Sequence, residues 1–207
     1  MSEQGAVDKN TLSRRDFLKL FAAAGTAIVF TPFVPWGKFM PNPVNANLVK
    51  AKVILPDGSQ ANVNIFPVNR QEVITYPTTG DRVLDEEAFR KWNLIRLPAE
   101  IGGNVNDVAA FRVYSVICLH LWCMWGYIPT TDPKKPHNQG ECPCHGSMYA
   151  PLTGKAFAGP ASLQAPPANV LPTLDLEADQ EGFLYILPPK WDTQANGVIG
   201  YGRFLKE

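Results

Sequence analysis

The 207-residue sequence predicts an all-β fold, an antiparallel β-sandwich or small barrel, preceded by one N-terminal transmembrane helix. Three observations carry this. Short runs rich in β-branched and aromatic residues recur, each bounded by Pro, Gly, Asn or Asp. The chain holds 19 Pro and 16 Gly, many of them between those runs, which suits a loop-rich β domain better than a helical bundle. Near the N-terminus, Leu20 to Gly37 is an uncharged apolar stretch between Lys19 and Lys38.

The expected strands are Lys50–Leu55, Ala61–Phe66, Glu72–Tyr76, Trp92–Arg96, Arg112–Ile117 and Phe183–Leu187. Asp57-Gly58, between the first two, is a hairpin signal. Glu86–Trp92 reads as a short helix. No internal repeat or low-complexity tract is present. Hydrophobic content of 45% and charged content of 18% fit a globular core rather than a disordered chain. Lys+Arg and Asp+Glu both total 19, so no global field favours nucleic acid, and none is expected as a partner.

The apolar stretch follows Ser13-Arg14-Arg15-Asp16-Phe17-Leu18-Lys19, a pattern that resembles a twin-arginine export signal. At the helical rise its length gives about 27 Å, just enough to cross a hydrocarbon core. Pro32 and Pro35 would kink or end the helix near its outer end. Val44-Asn45-Ala46 fits a signal-peptidase site, so both cleavage and retention stay open, with retention favoured. Arg14, Arg15 and Lys19 precede the span, which places the N-terminus in the cytoplasm and the rest outside. The expected organisation is a signal or anchor over 1–37, a linker over 38–49 and a head domain over 50–207.

All four cysteines lie between 118 and 144, with two of the three histidines among them. Thiolates and imidazoles this close in sequence suggest a metal centre. Residues 118–123 read Cys-Leu-His-Leu-Trp-Cys, and 142–149 read Cys-Pro-Cys-His-Gly-Ser-Met-Tyr. A zinc site of two Cys and two His would leave the other cysteine pair and the export signal without a role.

The arrangement C-x-H … C-x-x-H, with an additional Cys in each half, resembles the Rieske iron–sulfur proteins. It is most similar to the branch found in quinol-oxidising cytochrome bc and bf complexes. The resemblance implies one [2Fe–2S] cluster, with Cys118 and Cys142 on one iron and His120 and His145 on the other. Imidazole in place of thiolate on one iron raises the potential far above that of an all-cysteine cluster. It further implies a Rieske-type sandwich with a small inserted cluster-binding subdomain over about 112–162. Within it Cys123 and Cys144 would form a disulfide closing a loop of about 20 residues, which fits an oxidising compartment. Ser147 and Tyr149 match positions whose hydroxyls donate to cluster or cysteine sulfur and raise the potential. Gly159-Pro160-Ala161-Ser162 resembles the loop that covers the cluster.

The implied function is that of a Rieske subunit in a respiratory cytochrome bc-type complex, an oxidoreductase on the outer side of the cytoplasmic membrane. It would take an electron and a proton from quinol, with His145 as the quinol contact and His120 sharing the proton load. The electron would pass to a c-type cytochrome or equivalent acceptor, with a membrane cytochrome b as docking partner. A Rieske subunit of an arsenite-oxidase-like enzyme and a free-standing, membrane-anchored electron carrier are the alternatives. Ser147 and Tyr149 count against the first of these. Trp122 departs from the family, which has Gly there, and is read as part of the cover or as a change to the docking tip. The long insert at 124–141 is read as a solvated loop or a partner contact, and His137 within it as exposed and not a ligand.

Overall fold

The computed structural model describes residues 15, 16, 18, 19, 49–103, 107–130, 134, 137–166 and 168–189. They fall into two units, divided between Asn42 and Pro43. In the first, Arg15, Asp16, Leu18 and Lys19 are helical, and Lys19 Nζ lies 3.7 Å from the Asp16 carboxylate. Among the described residues no helix is long and apolar enough to cross a membrane. The expected span over 20–37, Arg14, the Val44-Asn45-Ala46 segment and all of the linker but Val49 lie outside them.

The second unit is built of short antiparallel strands, as the sequence predicts. In chain order these are β1 (Ala51–Lys52), β2 (Arg70–Thr75), β3 (Lys91–Arg96), β4 (Phe111–Ser115), β5 (Gly126–Ile128) and β6 (Gln139–Glu141). They continue with β7 (Met148–Tyr149), β8 (Ala156–Ala158), β9 (Thr173–Leu174), β10 (Leu176–Ala178) and β11 (Leu184–Ile186). Three sheets result, in the orders β1-β11-β10, β2-β3-β4-β9 and β5-β6-β7-β8. The third is inserted in sequence between β4 and β9, so it forms a subdomain of its own within the head.

The second sheet is the base on which that subdomain rests. Its inner strand β3 is buried from Trp92 to Arg96 and pairs on both edges, with Trp92 opposite Ile74 and Ser115. A strand buried on both faces must satisfy its polar side chains locally. Asn93 does so by accepting from Gln71 Nε2 (2.8 Å) and donating to the Trp125 carbonyl (3.1 Å). Trp125 Nε1 in turn donates to the Ser115 carbonyl at 2.7 Å. Buried hydrogen bonds therefore pin the start of the inserted sheet to the base.

Three expectations need correction. Ala61–Phe66 is not a continuous strand. Asn62 Oδ1 accepts from the Asn64 amide, and the Ile65 and Phe66 amides both turn back to the Asn62 carbonyl, leaving one bridge, Asn62 to Phe183. The short helix lies earlier than Glu86–Trp92. Asp81 caps it by accepting from Val83 and Leu84, so α1 is Arg82–Asp85, and a 3-10 turn over Ala88–Arg90 leads into β3. Pairing of Trp92 in the base sheet overrides its place in a helical pattern. The 124–141 insert is not simply solvated. Its ends pair as the β5–β6 hairpin, with Trp125 and Tyr127 buried. The Asp57-Gly58 turn is present, with Gly58 left-handed at φ 85° and Leu55 donating to the Ser59 carbonyl.

Candidate metal centre

Two loops at one end of the inserted sheet carry all four cysteines and two histidines. Loop 1, residues 118–123, follows β4 and is closed at its base by a bridge between Ile117 and Met124. Loop 2, residues 142–147, joins β6 to β7. The two have the same backbone wiring. The first residue's amide donates to the carbonyl of the sixth, Cys118 to Cys123 at 2.7 Å and Cys142 to Ser147 at 2.9 Å. The fifth residue's amide donates back to the first carbonyl, Trp122 to Cys118 and Gly146 to Cys142. In both loops that fifth residue is left-handed, with φ 60° at Trp122 and 70° at Gly146. Two such turns face their first residues inward, which is what paired ligands need.

Cys123 and Cys144 are joined as a disulfide, tying loop 1 to loop 2. Cys118 and Cys142 are free thiols, each 1% exposed. The Cys142 sulfur lies within 4.8 Å of both disulfide sulfurs. Those two are bonded to each other, so this trio is not a ligand set. His120 and His145 face each other edge-on, with ring centroids 4.8 Å apart. His120 is half-buried and His145 exposed. His137 is exposed, as expected.

Whether these groups fit an iron–sulfur cluster is decided by their unmet valences. His120 Nδ1 is buried and has no hydrogen-bond partner, a costly state for a ring nitrogen unless something else occupies it. Burial, helped by the neighbouring Cys118, raises the Cys142 thiol, while the Cys144 and His145 amides favour its thiolate. Buried thiols, an orphaned imidazole nitrogen and a facing second imidazole are a fitting donor set for such a cluster.

The surrounding hydroxyls are placed around the same point. The Tyr149 hydroxyl lies 3.1 Å from the Cys118 sulfur and accepts from the Leu119 amide at 3.0 Å. With that amide donating to the oxygen, the hydroxyl proton is free to be donated to sulfur. Burial first, and the Cys118 sulfur second, push this phenol far above its ordinary value, so it stays a donor. Ser147 is fully buried, and its Oγ accepts from the Ala161 amide at 3.1 Å, leaving the hydroxyl proton to be donated elsewhere. Ala161 belongs to the third loop, where Pro160–Leu163 form a 3-10 turn. That loop presses on loop 2 so closely that a Cβ at Gly159 would meet the Gly146 carbonyl oxygen at 2.4 Å.

Some of this network has no sequence signal. Gln164 Nε2 donates to the Leu119 carbonyl at 2.6 Å, linking the third loop to loop 1. The Trp125 and Tyr149 rings pack 5.4 Å apart behind the Cys118 sulfur's partner hydroxyl. Both contacts join residues distant in sequence and bear no motif.

No family model matches the chain. Curated relatives do. A protein of Haloferax mediterranei, named as a Rieske subunit of a respiratory nitrate reductase, is 24% identical over 207 residues, 93% of this chain and 82% of its own. The ubiquinol–cytochrome c reductase iron–sulfur subunit of Rhodospirillum rubrum is 29% identical over 166 residues, 74% of this chain and 84% of its own. The cytochrome bc1 complex Rieske iron–sulfur subunit of Corynebacterium glutamicum is 37% identical over 75 residues, which span 36% of this chain and 16% of that protein.

The chain is similar to Rieske proteins. Among solved Rieske structures, the soluble domain of Rieske protein II from Sulfolobus acidocaldarius gives a TM-score of 0.44 at 20% identity. It covers 74% of this chain and 86% of that one. The plasma-membrane Rieske protein of Synechocystis gives 0.33 at 16% identity, over 55% of this chain and 84% of that one. The relatives are subunits of oxidoreductases, and an iron–sulfur cluster is what the Rieske family holds at such a tip.

Proposed function

We propose that this protein is the Rieske subunit of a cytochrome bc-type complex that oxidises quinol and passes the electron to a c-type cytochrome or equivalent acceptor. The observation that carries this reading is the Tyr149 hydroxyl 3.1 Å from the Cys118 sulfur, with Ser147 buried beside it. Donors aimed at sulfur favour the electron-rich state and raise the potential toward what quinol oxidation needs. Cys118, His120, Cys142 and His145 would hold one [2Fe–2S] cluster, which supplies one-electron chemistry when bound. The cysteines anchor it at the buried end.

His145 is exposed, so its outward ring nitrogen is available to accept a hydrogen bond, and then a proton, from a quinol hydroxyl. His120, edge-on to it, shares the proton load. The disulfide and third loop hold the tip rigid and exclude water from the sulfurs. In this reading residues 1–37 keep the chain on the cytoplasmic membrane, with the N-terminus inside and the head outside against a membrane cytochrome b.

A second reading, the Rieske subunit of a nitrate reductase, is supported by the relative that aligns over 93% of the chain. Affinity purification of the full chain from its native membrane separates them. Co-elution of a di-haem cytochrome b with quinol-driven reduction of a c-type cytochrome supports the first reading. Co-elution of a nitrate-reducing enzyme without haem b supports the second and overturns the first.

A further inference from the structure

The two cluster loops share one backbone pattern, yet differ at the position that must be left-handed. Loop 2 places Gly146 there, at φ 70°. Loop 1 places Trp122 there, at φ 60°. For a residue with a Cβ this conformation is disfavoured by roughly 5- to 30-fold in equilibrium terms. Something in the fold offsets that cost. Trp122 is 51% exposed, so about half of the residue is covered. It meets Phe89 edge-on, with centroids 5.8 Å apart and planes at 78°. Phe89 sits in the 3-10 turn Ala88–Arg90 that runs directly into β3, the buried strand of the base sheet. Phe89 itself packs against the core. Covering half of the residue and forming an edge-to-face pair is worth on the order of 10- to 100-fold, enough to offset the backbone.

We propose that Trp122 is a positioning residue: by clamping loop 1 to Phe89 of the base domain it holds the adjacent Cys123 arm of the disulfide, and with it the cluster tip, in place. Loop 2 has no counterpart to this contact at Gly146, which carries no side chain, so the anchorage is one-sided. Loop 1 is tied directly to the base sheet's entry turn, and loop 2 is tied to loop 1 by the Cys123–Cys144 bond and to the third loop through Ser147. The clamp concerns the disulfide that the structure shows, and it holds whichever redox partner the protein serves.

The test is a double-mutant cycle on the full chain in detergent. The readout is the rate at which a dithiol reduces the Cys123–Cys144 bond, followed by thiol labelling and mass spectrometry. Phe89→Ala keeps the strained backbone and loses the contact, so reduction accelerates about 10-fold. Trp122→Gly loses contact and strain together, so acceleration is smaller, about 3-fold. In the Trp122→Gly background, Phe89→Ala adds nothing. Trp122→Phe keeps an aromatic edge and restores a rate within about twofold of wild type, a rescue that a general loss of stability would not give. Iron content is measured in parallel but does not enter the comparison. Equal effects of Phe89→Ala in both backgrounds, or a slower reduction in Trp122→Gly, would overturn the proposal.

Discussion

Tyr149→Phe removes one oxygen from a buried position and leaves the ring. That oxygen joins two groups, accepting from the Leu119 amide at 3.0 Å and lying 3.1 Å from the Cys118 sulfur. Its loss has two separable consequences. The Leu119 amide is left buried without its acceptor, costing about 1–3 kcal/mol of stability at the tip. The sulfur loses a donor that favours the reduced cluster over the oxidised one. A hydrogen bond whose strength differs by about 1 kcal/mol between two redox states shifts a one-electron couple by roughly 40 mV. The midpoint potential of Tyr149→Phe is therefore expected to fall by about 40–80 mV, with the cluster still bound. An EPR-monitored redox titration of the purified chain measures it. An unchanged or raised potential, with the cluster intact, would refute the assignment of this hydroxyl as a donor to sulfur.

Ser147→Ala is expected to lower the potential by a similar ~40 mV and to loosen the third loop, because the Ala161 amide loses its acceptor. The same titration, with proteolysis of the 159–164 segment as a second readout, checks both effects. Replacing Cys123 and Cys144 together by Ser opens a loop of sequence separation 21, worth about 3 kcal/mol by chain entropy. Thermal unfolding of the head should then shift down by roughly 6–12 °C. Gly159→Ala places a methyl 2.4 Å from the Gly146 carbonyl oxygen at a φ of 71°, so loop 3 must lift from loop 2. Visible absorbance during incubation with a chelator should then show cluster loss at least severalfold faster than in wild type.

The site was legible in the sequence because its chemistry is local. Cys118 and His120, like Cys142 and His145, are candidate ligand pairs within single tight turns, and the structure brings both pairs to one tip. The disulfide implied by family resemblance is present. Longer strands with large apolar residues, such as Trp92–Arg96, are equally plain. The inserted sheet is not. Its strands read GYI, QGE, MY and AFA, too short and too rich in Gly and Ala to show alternation. They are strands because the loops fix their register, not because of their own propensity. Gly at the fifth position of loop 2 reads as a turn, whereas Trp122 at the fifth position of loop 1 reads only as a departure. Its reason, Phe89, lies 33 positions earlier and becomes a neighbour only when the base sheet folds.

The central claim is that His120 and His145 bind the same iron while Cys118 and Cys142 bind the other. Pulsed EPR of the reduced full chain, prepared with natural and with nitrogen-15 histidine, tests it most directly. The account predicts a paramagnetic iron–sulfur signal coupled to nitrogens of both histidines, with couplings that change on labelling, one of the two being lost in His145→Cys. A reduced cluster with no histidine coupling, or a protein that holds zinc and no iron, would contradict it.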